Sequence, residues 1–261
     1  VTPAEAFPHV SLLGMDFAAC TRSQLLDHIF AELAEGRGGW LITANLDFLR
    51  RWAKDPQMRA LYALADLRVA DGMPLVWAAR LQGDPCPERV AGATMVEDLA
   101  ARAAAEGRTM ALLGGSGGAA ARAAEVWTVR YPGLRVLDTI EPWVDAEPTP
   151  DQVEPLRAWV REHQPELLLV GLGSPKQERL IRELRSSVPT AWMIGVGVSF
   201  SFASGQIRRA PAWMQETGLE WVSRLVSEPK RLARRYLWED LPFAGELFAR
   251  SAWLRLRRRI G

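Results

Sequence analysis

Asp71-Gly72, the pair Thr43 and Asn45, and Lys176-Gln177 beyond a double glycine are the side chains in this sequence best placed to do chemistry together. Asp71 could take a proton from a substrate hydroxyl within hydrogen-bond reach, and Gly72 would let a ligand come close to the backbone. Thr43 and Asn45 offer neutral hydrogen bonds suited to sugar hydroxyls or a base edge. Lys176 and Gln177 follow Gly171-Leu172-Gly173 at a turn into a helix, where free N–H groups favour an anion such as phosphate. Each has a plainer alternative. Asp-Gly is a common turn, Asn45 could cap the next helix, and Lys176 and Gln177 could be solvated residues on an ordinary strand-to-helix turn.

The elements that must position them alternate regularly. Leu167–Val170 is a short apolar run bounded by glycine, the pattern of a buried parallel strand. Ser174 is a good N-cap and Pro175 suits the first helical position, so a helix is expected to open there. Val10–Ala18 reads as a strand or hairpin. Strands are also expected at 40–43, 67–70, 109–113, 134–139 and 190–196. Helical stretches fall between them: Thr21 to about Glu35, a helix from Pro74, 94–106, 119–130 and 151–163. The expected fold is α/β, a Rossmann-like, mainly parallel sheet with helices on both faces. In such sheets ligands gather at the carboxyl ends of strands. Thr43-Ala44-Asn45, Asp71-Gly72, Gly171-Leu172-Gly173 and the loop Gly114–Gly118 would meet there. From Gly205 only helices are expected, giving residues 1–204 as the sheet domain and 205–261 as a C-terminal helical appendage.

Composition narrows the class. At 261 residues, 48% hydrophobic and 24% charged, this is an ordinary globular chain with net charge +1. From Arg224 onward, however, ten basic residues face four acidic ones, which suggests an anionic partner. Arg224, Arg231, Arg234 and Arg235 share helical spacing and could form a phosphate-binding stripe or a solvated basic face. Cys20 and Cys86 have no paired spacing, so neither a disulfide framework nor a zinc site is expected. The isolated His9, His28 and His163 give no nucleophile a base, and no Walker A motif occurs. The opening residues do not resemble a signal peptide, and no apolar window reaches the roughly 18 residues of a membrane span. A cytoplasmic location with peripheral membrane contact is expected.

The residues resemble a bacterial glycosyltransferase family, the WecG/TagA/CpsF family, glycosyltransferase family 26. The matching segments are TANLDFL (43–49), ADGMPLVWAAR (70–80), ERVAGATMVEDL (88–99), LLGGSGG (112–118), PELLLVGLGSPKQE (165–178) and the long run from Ile194 to Leu237. The resemblance implies transfer of a sugar from a UDP-sugar to a polyprenyl-diphosphate-linked saccharide, with inversion, in surface polysaccharide synthesis. It casts Asp71 as catalytic base and puts Thr43 in the active site beside the sugar. Gln177 becomes a pocket residue, and Gly114, Gly115, Gly171 and Gly173 the nucleotide-binding edge. Asn45, Gly72, Arg89, Lys176 and Glu178, within the matched segments, are expected to bind donor or substrate. Arg224, Arg231 and Arg234 would close over the diphosphate. No Asp-x-Asp motif is present, so no metal is expected, and the arginines would stabilise the leaving diphosphate instead. No other cofactor is expected.

The same resemblance implies that the appendage docks on the cytoplasmic face of the inner membrane, with Trp238, Phe243, Phe248, Trp253 and the cluster Arg255–Arg259 at the interface. A second copy of the chain could cover that surface instead. Three positions depart from the family pattern. Ser201 stands where the family usually has Asp, and Gly117 where it often has Pro. Glu141-Pro142-Trp143 replaces a typical Gly-Tyr-Phe. The family includes N-acetylmannosamine, N-acetylmannosaminuronate and glucose donors, and the sequence leaves the choice open. Two other readings compete. A dinucleotide-binding oxidoreductase would use GLGSPK or LLGGSGG, but neither fits Gly-x-Gly-x-x-Gly with a well-placed acid downstream. A nucleic-acid-binding module would use the basic tail and leave the strand-end residues idle; no nucleic acid partner is expected.

Overall fold

The computed structural model describes residues 6–84, 86–227 and 229–260, without the side chains of Glu216, Ser227, Arg231, Arg259 and Ile260. β1 (His9–Leu12) and β2 (Met15–Ala18) form an antiparallel hairpin turning at Leu13-Gly14. Thr21 and Gln24 make a capping box for α1 (Arg22–Ala34), as the Thr-x-x-Gln spacing implies. Strands and helices then alternate: β3 (Gly39–Ala44), α2 (Leu46–Lys54), α3 (Pro56–Ala63), β4 (Leu67–Ala70), α4 (Met73–Gln82) and α5 (Gly92–Glu106). They continue through β5 (Thr109–Gly114), α6 (Ala119–Arg130), β6 (Arg135–Ile140), α7 (Pro150–His163), β7 (Leu167–Gly171), α8 (Lys176–Leu184), β8 (Trp192–Gly195) and α9 (Ser199–Ala203).

β3 to β8 form one six-stranded sheet in the order β4-β3-β8-β7-β5-β6, and every pair in it is parallel. The β7 segment Leu-Leu-Leu-Val-Gly is buried throughout, because helices cover both sides of it. One core joins α2, α3, α4, α7 and α8 to the sheet, and the other joins α1, α5, α6 and α9. Alternation along β3 sends Trp40, Ile42 and Ala44 into the first core and Leu41 into the second. Chains leaving β7 and β5 therefore cross to opposite faces, and the carboxyl ends of these neighbours form a topological switch point.

One local expectation is corrected. Ser174 does not cap α8. The helix starts at Lys176 after a cis Ser174-Pro175 bond, and the Ser174 hydroxyl lies 3.3 Å from the Tyr62 hydroxyl. α9 is a helix of one turn whose Phe200 is fully buried.

Beyond Gly205 the described residues contain only helices. α10 (Ala212–Glu216), α11 (Glu220–Ser227) and α12 (Pro229–Ala233) lead through a π-helical turn, Arg234–Asp240, into α13 (Leu241–Ile260). α13 lies along α4, and Phe243 and Leu247 enter the first core. Phe243 is thus buried and Phe248 packs against the core, so neither faces outward as an interfacial residue would. Arg255 and Arg258 are likewise engaged, donating to the carbonyl groups of Arg80 and Gln82 on α4. Among the described residues no helix is long and apolar enough to cross a membrane.

Candidate active site at the carboxyl edge of the sheet

The β3–β4 end is built around Asp71. The peptide N–H of Asp71 extends the ladder to the Ala44 carbonyl at 2.8 Å, and the chain returns after α4 so that Val90 N–H bonds the Ala70 carbonyl. That return sets the first residue of α5 over the carboxylate: Gly92 N–H donates to Asp71 Oδ2 at 3.0 Å. A Cβ at Gly92 would fall 2.9 Å from the Thr43 hydroxyl oxygen and 3.4 Å from Asp71 Oδ2. Thr43, Asp71 and Gly92 therefore share one small space. Burial pushes the Asp71 carboxyl up to about 6, opposed by the Gly92 N–H and by Arg89 and Arg209, with Glu220 adding to the rise. Asn45 takes its structural role: its side-chain oxygen accepts from the N–H groups of Asp47 and Phe48, capping α2. Gly72 lies beside it, where a Cβ would meet Asn45 Cα at an ordinary 3.7 Å.

The appendage roofs this end. Glu220 at the start of α11 bridges Arg89 at 3.2 Å and Arg209 at 3.1 Å, and Arg209 also donates to the Thr94 hydroxyl. Gly218 sits so tightly on Met73 that a Cβ would come within 2.3 Å of its side chain. Gly92, Arg209 and Glu220 were not singled out from sequence. Gly92 carried a signal, a glycine at a helix start with no capping side chain, whereas the two charges lie more than a hundred residues from Asp71.

The β5–β7 end is built from backbone. Gly114 pairs with Gly171 in register, and Gly115 N–H bonds the Gly171 carbonyl at 2.7 Å. Gly114 has φ +100°, and a Cβ there would lie 2.7 Å from the same carbonyl oxygen, so only glycine fits. At Gly171 a Cβ would strike the Phe200 ring at 2.7 Å, whereas Gly173 faces open space. Gln177 is a clamp. Its Oε1 accepts from Gly173 N–H at 3.2 Å and Gly197 N–H at 3.0 Å, tying together the turns after β7 and β8. Its Nε2 donates to Glu178, which is buried and pushed up to about 7 by desolvation. Lys176 turns away from the crevice, donating to the Val144 carbonyl and lying over the Trp143 ring.

The loop Gly114–Gly118 formally fits Gly-x-Ser-x-Gly on a strand-to-helix turn, the setting of a nucleophilic serine. No histidine serves Ser116. His163 bonds the Trp159 carbonyl and lies near Asp138, and His28 packs between Phe7 and Trp192. The loop's N–H groups are engaged instead by Glu141, an acid the sequence reading noted only as a departure.

The proposed arginine stripe is only partly drawn together. Arg224 is half-buried on α11, whereas the Arg234 side chain is 89% exposed and lies 3.6 Å from Glu239. The Arg231 side chain lies outside the described residues. Arg235 instead joins an inner cluster: Asp47, 2% exposed, pairs with Arg50 at 2.6 Å, Arg51 at 2.9 Å and Arg235 at 3.4 Å. Asp240 adds Arg50 at 3.2 Å and Arg235 at 3.4 Å, fastening the π-helical turn to α2. Asp47 is thus an anchor of the appendage. Among the described residues no three His, Cys, Asp or Glu side chains are grouped to hold a metal ion.

The edge thus carries a desolvated carboxylate beside a threonine at one end and a glycine-lined crevice at the other. The model of one protein family, described as the glycosyl transferase WecG/TagA/CpsF family, matches residues 10–258. That span takes in both ends of the edge and the appendage, and the chain belongs to the WecG/TagA/CpsF family of glycosyltransferases, which serve cell-surface polysaccharide synthesis.

Proposed function

We propose that the protein moves a sugar from a UDP-sugar to a polyprenyl-diphosphate-linked saccharide with inversion, and that it does so without a metal ion. The single observation that carries the chemistry is the Thr43–Asp71–Gly92 cluster, a carboxylate held near neutrality by burial and oriented by a helix N-terminus. Asp71 takes the proton of the acceptor hydroxyl as its oxygen bonds to the anomeric carbon. The bond from that carbon to the diphosphate breaks on the opposite side, and the electron pair leaves with UDP. Thr43 hydrogen-bonds the sugar or the incoming hydroxyl. The glycine edge at β5–β7 takes the nucleotide, its missing side chains allowing close approach to the backbone. Arg224, Arg231 and Arg234 offset the charge developing on the diphosphate, a role guanidinium groups can fill in place of Mg²⁺. Without an Asp-x-Asp motif there is no usual carboxylate clamp for that ion.

The surface of the appendage suits the cytoplasmic face of a membrane. Trp213, Trp238, Leu241, Trp253 and Leu256 are exposed, and Arg257 lies 4.0 Å over the Trp253 ring. Exposed tryptophans among arginines favour an interface that is apolar below and anionic above.

A donor screen with a polyprenyl-diphosphate saccharide in detergent tests the reading. UDP release should need one donor and the acceptor together, and kcat/KM should fall about tenfold per pH unit below pH about 6. Turnover with no UDP-sugar would overturn the donor class. A flat acid limb would remove Asp71 as the base. Cosedimentation with anionic vesicles, lost in Trp238→Ser with Leu241→Ser, tests the membrane face.

A further inference from the structure

The glycine loop after β5 has a partner that the transfer chemistry leaves unused. Gly117 N–H and Gly118 N–H each donate at 2.8 Å to a different oxygen of Glu141, the first residue after β6. β5, the loop, α6 and β6 form one βαβ unit. In mononucleotide-binding halves of doubly wound sheets, an acid at the tip of the second strand holds ribose hydroxyls. Each Glu141 oxygen gives one acceptor site to the loop and keeps another, and the residue is exposed at the crevice rim.

Two of the departures from the family pattern, Gly117 and Glu141, meet at this place. Gly117 carries the N–H that Glu141 takes, and its carbonyl accepts from Gln206 Nε2 at 2.9 Å. Gln206 follows α9, where Ser201 is buried and accepts the Ile207 N–H through its carbonyl. Phe200, next to Ser201, lies beneath Gly115 and Gly171.

We propose that Glu141 is a specificity-determining residue of the donor site, its carboxylate accepting hydrogen bonds from the vicinal ribose hydroxyls of the nucleoside diphosphate. This rests on the nucleotide-sugar reading above. Glu141 also occupies the N–H groups that open α6, so the diphosphate is repelled from that helix and runs along the edge past β8 toward β3. The ribose then lies at β5–β6, at the glycine-lined end of the edge.

Calorimetry on the full chain with UDP, 2′-deoxy-UDP and inorganic diphosphate tests the assignment in wild type, Glu141→Gln and Glu141→Ala. Wild type should bind UDP about tenfold more tightly than 2′-deoxy-UDP, the scale of one hydrogen bond to a charged group. Both variants should lose about tenfold in UDP affinity and nearly all of the discrimination. UDP binding that is unchanged, or tighter together with tighter diphosphate, would overturn it and make Glu141 only a plug on α6. Wild type that binds UDP and ignores the 2′-hydroxyl would sink this inference alone. Wild type that binds no nucleoside diphosphate would remove the nucleotide-sugar reading with it.

Discussion

At the β4 end of the carboxyl edge a carboxylate is surrounded by Arg89, Arg209 and Glu220, two of which belong to the segment beyond Gly205. At the β5–β7 end the lining is Gly114, Gly115, Gly171 and Gly173, fixed by their own backbone bonds and by Gln177. The first end depends on distant parts of the chain and holds its reactive group at a cost in burial. The second depends on the absence of side chains and is held by the sheet itself. A transferase needs both properties. The group that reacts must be tuned by its surroundings, while the donor must be gripped by atoms that do not move. Damage to the appendage should therefore reach the first end far more than the second.

Breaking the anchor that fastens the appendage should give the largest effect on stability. Asp47→Asn leaves Arg50, Arg51 and Arg235 with a weakened partner in a poorly hydrated cluster. A loss of about 3 kcal/mol in urea unfolding is expected. If the unfolding midpoint did not move, the ion-pair cluster would be ornamental. UDP binding should survive in the folded fraction, because the crevice does not use that cluster.

Gly171→Ala probes the opposite end. Its Cβ would meet the Phe200 ring at 2.7 Å and the Gly197 carbonyl at 3.1 Å, and overpacking of this kind costs about 2 kcal/mol. Gly173→Ala meets nothing and bears only a left-handed φ of +75°, at a cost of about 1 kcal/mol. Equal thermal shifts for the two would contradict the close packing assigned to β7. Neither should alter the acid limb set by Asp71.

A pH-dependent effect concerns Glu178, whose carboxyl burial raises from 4.5 to about 7. The folded state favours the protonated acid, so stability is lost as pH rises from about 4.5 through 7. Glu178→Gln keeps an acceptor for Gln177 and should be more stable than wild type at pH 8 by roughly 1–3 kcal/mol. The gap should close below pH 4.5. A gap independent of pH would mean that charge is not its cause.

Sequence patterns reached the alternating elements and the residues at strand ends, because period, glycine and caps are local signals. Thr21 and Asn45 each mark a helix start that the structure contains. Side-chain direction was not local. Gln177 and Lys176 are adjacent, yet one clamps two turns and the other reaches Val144. Glu220 and Arg209 join the surroundings of Asp71 only through tertiary packing, and nothing near them in sequence marks it. Phe243 looked suited to an interface by its neighbours and is buried because α13 runs along α4.

The division between the two ends is tested most directly in Asp71→Asn by measuring UDP affinity and sugar transfer on the same preparation. Transfer at least about a hundredfold slower than wild type, with UDP affinity within about threefold, is the expected result. Transfer that survives, or an equal collapse of binding and transfer in a folded protein, would contradict it.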